Sequence, residues 1–307
     1  MSPQDTPQPP ALARAVLDRA AELRHEPGLL ERLRSEPGTR VLAVHGDRAP
    51  LRAGRLHLVA ADEIVGAVHW ALLARADDGH AVLLAATGAR DEPPVELTDE
   101  AAQWSSLRAV GGDLDAEEAG LLVEAVALAR WLVDAPFCPA CGGRLVPRAA
   151  GWSRSCPDCG REHFPRTDPA VIVVVTDPAG GRLLLGRNAL WGERVLYSAF
   201  AGFVEAGESL ESALVREVAE EAGVAVSRLD YRGSQSWPYP RSLMLGFTAV
   251  AAEPGQARAD GEEIIDVRWF TRDELRAALD GAGDVELPGG ASIAHALIRD
   301  WVSGQVR

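Results

Sequence analysis

The 307-residue chain carries 31 Lys+Arg against 45 Asp+Glu, a formal net charge of −14, with 47% hydrophobic and 25% charged residues. This is globular composition at a length that suits one large domain or two to three smaller ones, and every basic residue is an arginine. So acidic a balance excludes a general electrostatic grip on nucleic acid or anionic membrane, and a phosphate-bearing ligand is expected to arrive with a metal cation.

Met1 to Pro10 lacks the basic start and apolar core of a signal peptide and reads as a disordered tail, so a cytoplasmic protein is expected. The purest apolar run, Ala170 to Val175, is strand-sized, far below the roughly 18 residues that span a bilayer, so no membrane association is expected. Leu12, Val16, Leu17, Ala20 and Ala21 recur at helical spacing. Val41 to Val44, Leu56 to Ala60, Val65 to Leu73 and Ala81 to Ala85 read as strands, and Asp99 to Val110 and Asp115 to Val133 as helices. Residues 11–134 are therefore expected to form an N-terminal α+β domain.

Four cysteines follow, as Cys138-Pro-Ala-Cys141 and Cys156-Pro-Asp-Cys159, each pair trailed by glycine. Two such knuckles bring four thiolates around Zn²⁺, and the glycines permit the tight turns that aim amides at sulfur. A segment this short and polar needs a staple in place of a core. Residues 135–165 are thus expected to be a zinc ribbon with a closed structural site, ahead of redox or iron–sulfur use.

Beyond it, Ala170 to Thr176 and Arg182 to Leu185 flank Asp177 to Gly181, a hairpin signal. Leu210 to Ala222, Thr271 to Leu279 and Ser292 to Trp301 read as helices; Leu229 to Ser234, Leu243 to Ala251 and Ile264 to Phe270 read as strands. An α/β/α sandwich over residues 166–307 is expected. On the first of these helices Glu217 and Glu221 are i,i+4 neighbours, with Glu220 between them. Like charges so spaced repel, and the arrangement makes sense once a divalent cation that prefers oxygen ligands, Mg²⁺ or Mn²⁺, neutralises them. Further on, Ser234-Gln-Ser-Trp237-Pro-Tyr239-Pro-Arg-Ser242 sets two aromatic rings between stiffening prolines.

From Gly202 to Val224 the residues match G-x5-E-x7-R-E-U-x-E-E-x-G-U, with U apolar, at every specified position. That array resembles the signature of the Nudix hydrolase superfamily. The Ser234 to Ser242 segment is similar to the S-Q-P-W-P-F-P-x-S array of its NADH pyrophosphatase (NAD diphosphatase) branch, departing at Ser236 and Tyr239, and the preceding zinc ribbon belongs to the same branch. The resemblance implies metal-dependent hydrolysis of the NAD(H) pyrophosphate to NMN(H) and AMP, and removal of NAD caps from RNA 5′ ends. It implies Glu217, Glu221, Glu263 and the carbonyl of Ala201 as ligands to Mg²⁺ or Mn²⁺, with Glu262 an alternative to Glu263. Glu221 or Glu220 is the implied group that orients or deprotonates the attacking water, and Glu217, Glu220 and Glu221 together form the catalytic set. Implied substrate contacts are Arg108, Phe164 on the nicotinamide, Phe203 on the adenine side, Gln235, Ser236, Trp237, Pro238, Tyr239, Pro240, Arg241, Ser242 and Ala294, in a homodimer. Two other readings stay open: a Nudix hydrolase of another dinucleotide such as ADP-ribose or a diadenosine polyphosphate, and a noncatalytic zinc-ribbon protein that binds nucleic acid.

Overall fold

A computed structural model describes residues 9–66, 68–88 and 102–305. Residues 1–8 of the expected tail, Ala67 within the strand expected over Val65 to Leu73, and residues 99–101 of the helix expected from Asp99 lie outside the described residues. The chain forms two compact units, one built from residues 14–167 with the short segment Trp237–Arg241, the other from the remainder.

In the first unit, helix α1 (Leu29–Ser35) precedes β1 (Arg40–His45), β2 (Arg48–Arg52), β3 (Arg55–Leu56), β4 (His69–Arg75), β5 (Ala81–Thr87) and β6 (Gln103–Ser106), followed by α2 (Leu107–Val110) and α3 (Ala116–Asp134). The strands form one sheet in the order β3-β2-β1-β5-β4, with β6 also on β2. β1 and β5 run parallel, Val41 opposite Leu83. Val41 to Val44 and Leu83 to Ala85 are fully buried, as strands covered on both faces must be, which is why they read as unbroken apolar runs. α1 seats Leu29 and Leu33 against Val41, Leu72 and Leu83. α3 starts at Asp115, whose carboxylate accepts the Glu118 N–H, and buries Leu121, Leu122, Ala125, Val126, Leu128, Ala129 and Leu132.

Two expected helices are corrected. Residues 12–21 hold only the single turns Ala11–Ala13 and, beyond them, Ala21–Leu23; Val16 is almost fully exposed, and Asp18 instead bridges to Arg75. The described part of Asp99 to Val110 opens as β6, because Gln103 to Ser106 pair with Leu51 to Arg48.

The ribbon belongs to this unit as β7 (Val146–Arg148), β8 (Ser153–Ser155) and β9 (Glu162–His163). A Cβ at Gly151 would lie 2.5 Å from the Ala71 side chain and 2.7 Å from the Trp70 carbonyl, so only glycine allows the ribbon so close to β4. Next to it the Trp152 indole donates to the Leu72 carbonyl at 2.6 Å, and the Arg24 guanidinium stands 3.8 Å from its ring. Arg154, 2% exposed, sends its guanidinium under α3, donating to the carbonyls of Leu132 and Ala135 and lying over Trp131. It thereby satisfies orphan carbonyls of the last helical turn with a cation, which that end of the helix favours.

The second unit carries β10 (Asp168–Thr176), β11 (Arg182–Asn188), β12 (Phe200–Phe203), α4 (Leu210–Ala222), β13 (Val226–Trp237), β14 (Ser242–Ala251), β15 (Ile264–Thr271), α5 (Arg272–Leu279) and α6 (Ile293–Val302). Its sheet runs β13-β14-β10-β11-β15, with β12 on β10. The expected hairpin is present, Val175 opposite Leu184, its turn tied by the Asp177 carboxylate to the Gly181 and Arg182 N–H groups. Val171, Val173 and Val175 pack on Leu214 and Val218 of α4. Gly246, which is paired with Ile172, faces Ile293 and Leu297 of α6. Because successive residues of a strand face opposite ways, α4 and α6 cover the two faces, giving the expected α/β/α sandwich. Among the described residues no helix is long and apolar enough to cross a membrane.

One buried charge lies outside any site. Glu124 of α3 is 5% exposed, its oxygens accept no hydrogen bond, and Arg19 reaches it only as an ion-pair contact of 3.2 Å. Burial pushes its carboxyl up to about 7, against the pull of Arg19 and Arg24. A raised folded-state value means that stability is fully present below the ordinary carboxylate pKa and is lost as pH rises through about 7. Glu124→Gln is therefore expected to stabilise the fold by about 1–3 kcal/mol at pH 8 and by much less at pH 5, which denaturant titration at the two pH values checks.

Candidate active site and zinc centre

Helix α4 is capped by the Ser209 hydroxyl, which accepts the Ser212 N–H, and stops at Gly223 in the left-handed conformation. Its apolar stripe is buried, which turns Glu217 and Glu221 toward β12. A Cβ at Gly202 would lie 1.9–2.2 Å from the Glu217 carboxyl atoms, so a side chain here would force that carboxyl to move. Glu221 is 5% exposed, its Oε2 has no hydrogen-bond partner, and the Ala201 N–H donates to its carboxylate. Burial first, then the charges of Glu263 and Glu217, push Glu221 up to about 8. Burial also raises Glu217, where Arg216 pulls the other way.

Arg216 ties the cluster together: Nε lies 2.9 Å from Glu208, Nη1 2.8 Å from Glu217 and 3.1 Å from Glu220, and Nη2 donates to the Phe203 carbonyl at 3.0 Å. Glu263 comes from the loop before β15; Asn188 donates to its carboxylate at 3.2 Å, and its N–H donates to Asp260 at 2.8 Å. A buried carboxylate with an unpartnered oxygen, beside two more carboxylates and one arginine that does not reach it, is a donor set suited to a hard divalent cation. Glu220 is the outer member, its side chain 60% exposed.

In the ribbon the four sulfurs all lie within 4.8 Å of one another; among the described residues no carboxylate group is gathered so tightly. The N–H groups of Ala140 and Cys141 point at the Cys138 sulfur and that of Gly143 at Cys141. Cys138, Cys156 and Leu145 form the small apolar core, and His163 Nε2 lies 3.3 Å from the Cys138 sulfur. Four sulfurs converging with amide donors behind them suit a closed tetrahedral zinc site.

The other expected contacts divide by exposure. Phe203 and Phe164 each leave about half their surface open, at 51% and 50%. Gln235 is buried, its amide donating to the Ala291 carbonyl at 2.9 Å and accepting the Leu12 N–H at 3.3 Å. Ser242 and Ala294 are buried as well. Ser236 and Trp237 are half-buried, Pro238 is buried, and Pro240 and Arg241 are exposed. Tyr239 is half-buried, and its hydroxyl is engaged by Asp47 and by the Arg108 N–H. Sequence reasoning passed over Arg216 as an internal countercharge, though its place beside Glu217 and four residues before Glu220 was a readable signal. Asn188 and Asp47 left none, since each meets its partner only through the fold.

Metal content is the direct check on the ribbon. The purified chain is expected to release one zinc per polypeptide to a colorimetric chelator after thiol modification. Cys141→Ser is expected to abolish stoichiometric zinc and lower the Tm by at least about 5 °C.

Comparison with known proteins agrees with this geometry. The chain matches the NUDIX domain over residues 166–287, the NADH pyrophosphatase zinc ribbon domain over 134–164 and the NADH pyrophosphatase-like rudimentary NUDIX domain over 18–131. It is 39% identical over 305 residues to the NAD-capped RNA hydrolase NudC of Mycobacterium tuberculosis, covering 96% of this chain and 95% of that protein. It is 42% identical over 202 residues to the NAD-capped RNA hydrolase NudC of Stutzerimonas stutzeri, covering 66% and 68%. A third relative, the NAD-capped RNA hydrolase of Schizosaccharomyces pombe, is 35% identical over 245 residues, covering 71% and 65%. With its signature helix, its four-cysteine ribbon and a relative matched along nearly the whole length, the chain belongs to the zinc-ribbon NADH pyrophosphatase family of Nudix hydrolases.

Proposed function

We propose that this protein hydrolyses the pyrophosphate of NAD(H) to NMN(H) and AMP, and removes the same dinucleotide from the 5′ ends of capped RNA to leave a monophosphate. The observation that carries the reading is the buried Glu221 with its unpartnered oxygen, within reach of the charges of Glu217 and Glu263 and bonded to the Ala201 N–H of β12. Relatives named for NAD-capped RNA hydrolysis support the choice of substrate.

Glu217, Glu221, Glu263 and the carbonyl of Ala201 are the groups proposed to hold Mg²⁺ or Mn²⁺. When bound, such an ion activates water and neutralises charge on the phosphate oxygens. The chain's own residues have distinct tasks. Arg216 holds Glu217 and Glu220 in place and offsets their mutual repulsion. Glu221, or Glu220 beside it, is the group proposed to orient or deprotonate the attacking water. Phe203 is assigned to the adenine side and Phe164 to the nicotinamide ring, as aromatic faces that stack on planar rings. Trp237 and its neighbours from Gln235 to Ser242, with Ala294 and Arg108, shape the remaining contacts. The chain is proposed to act in the cytoplasm as a homodimer, with domains at 11–134, 135–165 and 166–307 after a tail of ten residues.

Incubation with NAD, NADH and ADP-ribose in Mg²⁺ or Mn²⁺, with products separated by chromatography, tests the reading. NMN or NMNH plus AMP is expected, with Glu221→Gln losing at least about 100-fold in kcat. Cleavage of ADP-ribose alone would overturn the substrate assignment. Gly202→Ala, which forces the Glu217 carboxyl to move, is expected to cost a comparable factor in kcat/KM while the zinc content stays at one per chain; an unimpaired Gly202→Ala enzyme would show that Glu217 is not needed where the structure holds it.

A further inference from the structure

The turn between β13 and β14 leaves the sheet it connects: Trp237–Arg241 packs with the N-terminal unit. There the Tyr239 hydroxyl donates to the Asp47 carboxylate at 3.0 Å and accepts the Arg108 N–H at 3.1 Å. The backbone carbonyl of Asp47 in turn accepts the Leu107 N–H at 3.0 Å. One aspartate thus fastens both the start of α2 and the tyrosine. Around the ring stand the guanidinium carbons of Arg108 and Arg130, at 4.2 Å and 5.2 Å from its centroid, and the Trp237 ring at 4.9 Å. Burial and the adjacent Asp47 push the phenol up to about 12, so it remains a donor throughout the neutral range.

We propose that the N-terminal unit holds the substrate-recognition turn. Asp47, through the Tyr239 hydroxyl, and Arg108 and Arg130, through its ring, are positioning residues that fix Trp237 as the aromatic face the turn offers to a substrate ring. This rests on the NAD(H) reading above and gives the N-terminal unit a task within it. The hydroxyl and the ring of Tyr239 both have partners within the unit, and Arg108 also lies over the Trp237 ring, 5.3 Å from its centroid. The branch pattern has phenylalanine here, which has no hydroxyl to donate. A turn fixed in advance spares the substrate the entropy of ordering it. Loss of the anchor therefore acts on binding, in KM, and leaves the chemical step in kcat alone.

The experiment compares wild type, Tyr239→Phe, Asp47→Ala, the double variant and Asp47→Asn, which keeps an acceptor oxygen. Three quantities are read: steady-state kinetics with NADH, the rate of tryptic cleavage after Arg241 followed by mass spectrometry, and the Tm. Tyr239→Phe and Asp47→Ala are expected to raise KM about 3- to 10-fold, the worth of one lost hydrogen bond, with kcat within about two-fold of wild type. Cleavage after Arg241 is expected to quicken in both, the double variant to be no worse than either single one, and Asp47→Asn to restore KM and cleavage. Unchanged KM, an equal fall in kcat, or a lowered Tm with KM unmoved overturns the proposal. Failure of the wild-type protein to cleave NADH overturns the NAD(H) reading instead, and the anchor is then decided by cleavage after Arg241 and its rescue in Asp47→Asn.

Discussion

Everything in the catalytic half hangs on keeping carboxylates together where water cannot screen them. Glu217 is pressed against Gly202, and Glu221 is buried beneath the same strand. Each like-charged pair on a helix costs only a few tenths of a kcal/mol when solvated, but burial multiplies that cost. The helix stays put because Leu214 and Val218 are fully buried, each contributing about 1.5–3 kcal/mol. Hydrophobic packing holds α4 in place against that repulsion. Arg216 offsets part of it: its guanidinium spans Glu208, Glu217 and Glu220 and stops short of Glu221. Glu221 is the carboxylate that it leaves without a hydrogen-bond partner at Oε2.

The N-terminal half, which lacks that signature, is held together by other means. α3 packs on its sheet, and the ribbon is held by a glycine contact, an indole hydrogen bond and an arginine over that indole. Arginine does most of the joining. In a chain with no lysine, guanidinium groups lie over Trp152, Trp131 and Tyr239, where the cation is attracted by the ring face. A strongly acidic protein can thus carry cations inside its joints while its net charge stays negative.

Much of this was legible because the relevant signals are local. The spacing of Cys138, Cys141, Cys156 and Cys159 announced convergent sulfurs, and the apolar period of Leu210 to Ala222 announced α4 with its acidic side. The helices read from Asp115 and from Thr271 begin where those side chains accept the Glu118 and Glu274 N–H groups, and the hairpin at Asp177 to Gly181 needed only its own residues. What stayed hidden depends on the fold. Gln103 to Ser106 form a strand only because β2 presents an edge to pair with. The alanine-rich stretch from Leu12 resembled a helix by spacing, yet its apolar residues find no common face to bury. Asp47 and Tyr239 are separated by 192 positions, and no pattern in the sequence links them. Gln235 illustrates the converse: the segment that contains it was legible, while the direction of its side chain, inward to Ala291 and Leu12, was set by packing.

Arg154 carries one further consequence, for the order in which the chain can be completed during synthesis. The last carbonyls of α3 are satisfied by a guanidinium that lies 19 and 22 residues further along. As the polypeptide emerges from the ribosome, α3 can form its body against the sheet, but its final turn stays open until the first cysteine knuckle and β8 have followed it. Cys156 and Cys159, which close the ribbon, come directly after. The N-terminal half therefore reaches its finished state together with the metal-bound module, and a cell short of zinc would accumulate chains whose longest helix has a frayed end.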